Sequence, residues 1–311
     1  MQQLRTITAF IRLGRPHFLA GGLLLNLLGV AMSIYAGNPF NLTALIWGQV
    51  VITATQLMTH YCNDYFDLEA DQLNQTPTNW SGGSRVLPHG ELNPKIALRV
   101  AVILAVIAFV ANLILSVFVR PGWLTFGMLL GVQALAWFYS APPLRLHSRG
   151  VGELTTTIIV PLMTPLTAYY LQAGRIDWLP LLAVIPLCCY QFAMLLSIEF
   201  PDAEGDRRAG KDTLVVRLGG ALAARLYVSL LLLGLGVLPL LLLAGLPALV
   251  VVAVAVVSPL LVGQLWRIWR GDWHNPNKWN HLGFYSIVLL VATSAAELVA
   301  FILLIGDSKL L

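Results

Sequence analysis

Apolar residues run along this chain in long stretches broken by short polar connectors, and the pattern recurs at about 17–36, 43–62, 96–118, 123–141, 154–173, 178–198, 226–244, 247–266 and 284–305. Each stretch is near the roughly 20 residues an α-helix needs to cross a hydrocarbon core. The pattern predicts an all-α, polytopic membrane protein of about nine transmembrane helices in a single domain over residues 1–311. Residues 4–15 mix apolar with basic positions (Leu4, Arg5, Ile7, Phe10, Ile11, Arg12, Leu13, Arg15), which predicts a short amphipathic helix lying on the membrane surface. The connectors at 37–41 and 244–247 are turn-like. The loop after the second span, from about 63 to 95, is the longest, and a loop of that length is usually functional.

Composition agrees. The chain is 58% hydrophobic and only 11% charged, with mean hydropathy +0.76, against about 25% charged residues in soluble domains. With residue 1 placed in the cytoplasm, 16 of the 19 Lys+Arg fall on the inner side, leaving Arg120, Arg175 and Lys309 outside. That asymmetry is the positive-inside pattern. The net charge of +4 follows from it and calls for no nucleic-acid partner. Cys62, Cys188 and Cys189 lie in or beside apolar spans and read as packing residues. The N-terminal basic segment lacks a convincing cleavage site and reads as retained. Trp123, Trp178, Trp266 and Trp269 stand near span ends, where interfacial aromatics belong.

The acids are distributed quite differently. Eight of the 15 Asp+Glu sit in two short clusters, 63–71 and 199–206, each following an apolar span on the inner side. Charge beside hydrocarbon is costly, and carboxylates this close repel unless a cation lies between them. If the second span continues as helix, Asp64, Asp67 and Asp71, and likewise Asn63, Asp67 and Asp71, fall on roughly one face. Asp202 and Asp206 are one turn apart, with Glu199 before them. Oxygen donors without His or Cys suit a hard cation, Mg2+ more than zinc, and Mg2+ commonly bridges carboxylates to phosphates. Solvated helix ends are the bland alternative.

Several basic groups stand close by. Arg85 follows Ser81-Gly82-Gly83-Ser84, whose glycines let backbone N–H groups approach an anion. Lys211 and Arg207 follow the second cluster; Arg145 and Arg149 follow Tyr139-Ser140-Ala141-Pro142-Pro143. Lys211 and Arg85 read as phosphate donors, Arg149, Arg207 and Arg208 as membrane-surface anchors. Gln49, Thr53, Thr55, Gln56, Thr59 and His60 make the second span unusually polar, so it faces a cavity or bonds to neighbouring helices. Glu297 is an acid deep in the last span with no assigned role. The recurrence of an acidic cluster after the second and sixth spans suggests a weak internal repeat.

These motifs resemble those of the UbiA superfamily of intramembrane prenyltransferases. Asn63-Asp64-x-x-Asp67-x-x-x-Asp71 is similar to its first aspartate motif, and Asp202-x-x-x-Asp206 with 210–214 to its second. Tyr139-Ser140-Ala141-Pro142-Pro143-Leu144-Arg145-Leu146 resembles the stretch after its fourth helix, and Arg15-Pro16 is also family-like. Gly82-Gly83-Ser84-Arg85-Val86-Leu87-Pro88 looks most like the menaquinone branch, which attaches a polyprenyl chain to 1,4-dihydroxy-2-naphthoate. The resemblance implies a UbiA-like bundle in a bacterial plasma membrane, Mg2+, a polyprenyl diphosphate donor and an aromatic acceptor. It implies that Asn63, Asp67, Asp71, Asp202 and Asp206 hold metal, with Asp64 joining them in catalysis. Asn63, Arg85, Tyr139, Arg145 and Lys211 would contact the diphosphate. Three positions depart from the pattern: Glu199 stands where Asn is commoner, Arg145 where Lys is, and Pro201 interrupts the second motif.

The chemistry expected is loss of diphosphate from an allylic donor in a dry chamber, then attack by an electron-rich ring. Asp64 and Asp71 are candidate bases. Sister enzymes using 4-hydroxybenzoate, homogentisate or a chlorophyllide are the near alternative. A transporter is the remote one, since transporters usually place ionisable groups near mid-membrane.

Overall fold

The computed structural model describes residues 2–307; Lys309 and the side chain of Arg5 lie outside its described part. Among the described residues the chain is helical throughout, and each of the nine apolar stretches holds helix. The helices are α1 (Gln2–Leu13), α2 (Pro16–Tyr35), α3 (Leu42–Phe66), α4 (Leu68–Leu73), α5 (Pro94–Ile114), α6 (Trp123–Phe138), α7 (Gly152–Thr157) and α8 (Thr164–Ala173). They continue as α9 (Trp178–Glu199), α10 (Ala203–Arg208), α11 (Leu214–Leu218), α12 (Gly220–Gly236), α13 (Leu238–Leu243), α14 (Ala248–Val256), α15 (Ser258–Trp269) and α16 (Pro276–Asp307).

Among the described residues, seven helical stretches are long and apolar enough to cross a bilayer, and α14 with α15 makes an eighth bent by 41°. The ninth, α6, has 16 residues. The protein is an integral membrane protein by this architecture. Local chemistry sets the boundaries. The Asn41 side chain accepts from the N–H of Ala44 at 3.0 Å to cap α3, and Asn93 caps α5 ahead of Pro94. Pro161 lacks an N–H to donate, and the stretch Ile158–Met163 between α7 and α8 widens into a π-turn there. Pro201 sits in the break between α9 and α10.

α2 packs chiefly on α3, α8 and α16, and α9 on α7, α12 and α16. Gly29 makes this possible: a Cβ there would lie 2.2 Å from the Pro165 carbonyl oxygen, so the α2 and α8 backbones touch. Three of the six polar residues singled out in α3 bond to neighbouring segments, while Thr53 and Thr59 bond within the helix. Gln49 accepts from Asn26 at 2.9 Å, Gln56 donates to the Phe18 carbonyl at 2.8 Å, and His60 Nδ1 meets the Gly14 carbonyl at 2.8 Å. Gln49 and Thr53 also line an apolar hollow of about 550 Å³ between α2, α3 and α5. Trp123, Trp178 and Trp269 are exposed on the outside of the bundle.

The long loop between α4 and α5 is tied down rather than free. Val86, Leu87 and Leu92 bury against Tyr61, Cys62 and Ala97. Each such side chain is worth about 1.5–3 kcal/mol relative to exposure in water. That anchorage holds residues 74–85 over the ends of α3 and α9, where both acidic clusters lie.

Candidate active site

The first acidic motif straddles a helix end. α3 stops at Phe66, Asp67 forms the corner, and α4 carries Asp71 into the same hollow. The second motif repeats the device: α9 stops at Glu199, Asp202 opens α10, and Asp206 lies one turn on. α4 and α10 pack together because Gly205 has no side chain; a Cβ there would sit 3.0 Å from Asn74 Cα.

Between the motifs lies a cavity of about 120 Å³, room for several water molecules. Its walls include Asn63, Asp67, Asp71, Tyr139, Asp202, Asp206 and Lys211, seven of the ten residues expected at the site. Lys211 spans the two motifs, with Nζ 3.3 Å from Asp67 Oδ2 and 3.1 Å from Asp206 Oδ1. Asn63 donates to Asp67 Oδ2 at 2.6 Å. Asn74 and the Gly82 N–H hold Asp202 at 2.7 and 3.0 Å. Gly82 and Gly83 both have φ of 71°, a left-handed conformation that suits glycine. A Cβ on Gly83 would stand 2.1 Å from Asp71 Oδ2.

Three expected residues do not reach the cavity wall. The Asp64 carboxylate is taken by Arg15 on one oxygen and by Ser84 on the other. Arg85 turns away and donates to the Asp71 backbone carbonyl, which secures the loop. Arg145 has φ 46° in the turn after α6, and its side chain is exposed. Three residues that sequence reasoning did not place at the site are found there. His147 puts Nε2 2.7 Å from Asp67 Oδ1, with Nδ1 on the Tyr139 carbonyl at 2.6 Å. Arg15 and Asn74 line the cavity as well. Arg15 was visible only as part of Arg15-Pro16. Neither Asn74 nor His147 carries a periodic or spacing signal.

The carboxyls differ in how they are held. Burial drives Asp67 up, but His147 and Lys211 outweigh it and hold the group below the usual carboxylate range. Burial, reinforced by Asp67, Asp64 and Asp202, pushes Asp71 up to about 8. Burial and Asp206 push Asp202 up to about 7, although the Gly82 N–H opposes this. Asp206 is also raised by burial, against the pull of Lys211. Lys211, desolvated but facing Asp67 and Asp206, is held above its ordinary value.

Among the described residues no three His, Cys, Asp or Glu side chains converge as a ready-made metal cage. Lys211 and His147 stand between the carboxylates instead. The donor set still fits a hard cation. It is all oxygen, it comes from both motifs, and Asp71 Oδ2 is buried with no hydrogen-bond partner.

Two aspartate motifs at adjacent helix ends close on one polar hollow in an apolar, membrane-spanning bundle. Residues 23–296 match the UbiA prenyltransferase family, and the chain belongs to it. It is 29% identical over 184 residues to a 1,4-dihydroxy-2-naphthoate octaprenyltransferase of Mycobacterium leprae, covering 58% of this chain and 60% of that one. It is 30% identical over 225 residues to a digeranylgeranylglyceryl phosphate synthase of Sulfolobus acidocaldarius, covering 69% and 70%. Among solved structures, a UbiA homolog from Archaeoglobus fulgidus bound to DMAPP and Mg2+ superposes with TM-score 0.62 at 16% identity, over 93% of this chain and 98% of that one.

Proposed function

We propose that this chain is a Mg2+-dependent prenyltransferase that moves a polyprenyl group from its diphosphate to 1,4-dihydroxy-2-naphthoate, with the aspartate motifs facing the cytoplasm. The observation that carries the reading is Lys211 set between Asp67 and Asp206, because it brings both motifs and a phosphate-binding cation to one cavity. Asn63, Asp67, Asp71, Asp202 and Asp206 would hold the metal, which when bound supplies positive charge for the oxygens of the departing diphosphate.

The chain's own groups do the rest. Lys211 donates to a phosphate oxygen, with Tyr139 and Arg15 on the same wall. Asn63 and His147 fix Asp67 in place. Leu195 and Ile198 line the cavity beside these polar groups and exclude water from the allylic carbon. The C–O bond to diphosphate breaks, the diphosphate keeps the electron pair, a ring carbon bonds to the allylic carbon, and that ring carbon restores aromaticity by losing its proton, or its carboxylate as carbon dioxide.

The relatives differ in acceptor by name, one a hydroxylated naphthoate and the other a glyceryl phosphate. The likeness of Gly82-Gly83-Ser84-Arg85-Val86-Leu87-Pro88 to the menaquinone branch favours the ring. The test supplies purified membranes with Mg2+, a prenyl diphosphate and one acceptor at a time: 1,4-dihydroxy-2-naphthoate, 4-hydroxybenzoate, homogentisate, a chlorophyllide or geranylgeranylglyceryl phosphate. Diphosphate release and prenylated product are expected with the first. Product with another acceptor alone, or with none, would refute the reading.

A further inference from the structure

We propose that the paired ends of α15 and α16 form a binding site for the headgroup of an anionic phospholipid, with Arg267, Arg270 and Lys278 meeting its phosphate. Arg267 is half-buried: its guanidinium carbon lies 4.0 Å from the centre of the Tyr285 ring, and Nη1 donates to the Gly263 carbonyl at 3.3 Å. Arg270, one turn on, stands 4.5 Å over the Trp266 ring. Lys278 is exposed and precedes Tyr285 by two turns on the same face of α16. The aromatic faces hold both arginines in place without cancelling their charge. Among the described residues no acid pairs with any of the three cations, and Asp272, in the turn between the helices, bonds to none of them. Elsewhere on the surface Arg12, Arg175, Arg207, Arg208 and Arg217 each hold an acid. The charge at the α15–α16 ends is thus ordered and uncompensated.

The apolar neighbours decide which phosphate-bearing molecule fits. Val262, Trp266 and Trp269 are 58%, 51% and 83% exposed and follow one another along one side of α15. They run from the cations back along the span, where acyl chains would lie. A free phosphate would leave that stripe uncovered, and a zwitterionic headgroup would bring its own ammonium against the arginines. The depth of the patch also suits a lipid. The Asn280 side chain accepts from the Asn79 N–H at 3.1 Å in the loop over the aspartate motifs, so the patch lies on their side of the bundle. In the proposed orientation that is the cytoplasmic leaflet, where anionic lipids attract basic groups. The site does not depend on the transferase reading.

The full chain, purified in detergent, is titrated with phosphatidylglycerol, phosphatidylcholine or inorganic phosphate, and bound lipid is counted by native mass spectrometry. Phosphatidylglycerol is expected to bind at least about tenfold tighter than phosphatidylcholine, and inorganic phosphate to displace little of it. Arg270→Gln with Lys278→Gln should weaken phosphatidylglycerol about tenfold or more. Lys95→Gln with Arg99→Gln removes the same charges from the start of α5, where both side chains are exposed and no aromatic ring lies against either among the described residues. That pair should leave binding within about twofold of wild type, as surface changes away from a site do. All four side chains are exposed, so both double variants should melt with wild type; Lys278→Gln alone carries the test should the first pair not fold. Equal weakening by the two pairs would reduce the site to diffuse attraction by the basic face and overturn it. No preference for phosphatidylglycerol, or its ready displacement by inorganic phosphate, would overturn it as well.

Discussion

Asp67 and Asp71 are four residues apart and open onto one cavity, yet they are held in opposite ways. At the Asp67 end His147, Lys211 and Asn63 all supply hydrogens, and Asp206 shares the lysine. At the other end Asp71 keeps an unpartnered oxygen, and Asp202 is held by neutral donors: the Asn74 amide, the Gly82 N–H and the Ser81 hydroxyl. Asp67 meets Lys211 directly, whereas Arg15, the cation nearest Asp71, is paired with Asp64. On the proposed reading, the charge that holds the diphosphate is divided between the chain and an ion.

The largest expected effect comes from removing that division altogether. Asp67→Ala, or chelation of divalent ions from wild type, should lower prenyl transfer by at least about a hundredfold, as loss of a preorganised electrostatic group does. The protein should still elute as a folded species in detergent, and transfer that survives both treatments would exclude the ion. Next is Lys211→Met, which strips the self-sufficient end of its cation. Breaking a buried pair leaves uncompensated charge, costing about 3–5 kcal/mol; both a large loss of activity and a lower melting temperature are expected. A variant as stable as wild type would remove the distinction between the two ends.

A subtler probe is pH. In the unfolded chain these carboxyls ionise near 3.8, whereas in the fold Asp71 keeps its proton to about 8 and Asp202 to about 7. Between those limits the folded state binds protons that the unfolded state has released, so stability is full below about 4 and falls as pH rises to about 8. Asp67 acts with the opposite sign: its contribution is present above 3.8 and is lost as pH falls through its lowered value. With chelator present, Asp71→Asn should melt with a flatter slope from pH 5 to 8 than wild type; parallel slopes would disprove the assignment. The smallest effect is expected from Arg145→Ala, whose side chain is exposed outside the cavity: transfer within about twofold of wild type, in the range of most surface changes. A tenfold loss would bring that arginine back to the substrate.

The fold was largely legible because hydrocarbon imposes a length on apolar helices: among the described residues each of the nine stretches holds helix, and seven, or eight with the bent pair, are long and apolar enough to cross a bilayer. The amphipathic N-terminal segment is found as α1. The broken helices were not anticipated although a proline marks each: α12 and α13 part at Val237, just before Leu238-Pro239, and α14 and α15 at Val257, just before Ser258-Pro259. At the site, Asp67, Asp71, Asp202 and Asp206 were readable because carboxylates at helical spacing beside an apolar span repel one another until a cation joins them. His147 was not, because it lies 80 residues from Asp67 and meets it only through the packing of the turn after α6. Glu153 escaped for a different reason. It lies at the edge of an apolar run and reads as a surface residue, yet it is as buried as Glu297, which had stood out as the deep acid.

The ion pair through Lys211 joins residues 67 and 211, which are far apart in the order of synthesis. A ribosome delivers the first motif well before the lysine that neutralises it. Arg15 and His147 come off the ribosome before Lys211 and already offer hydrogens to Asp64 and Asp67, so the lysine is the last partner to arrive and the one that ties the first motif to the second.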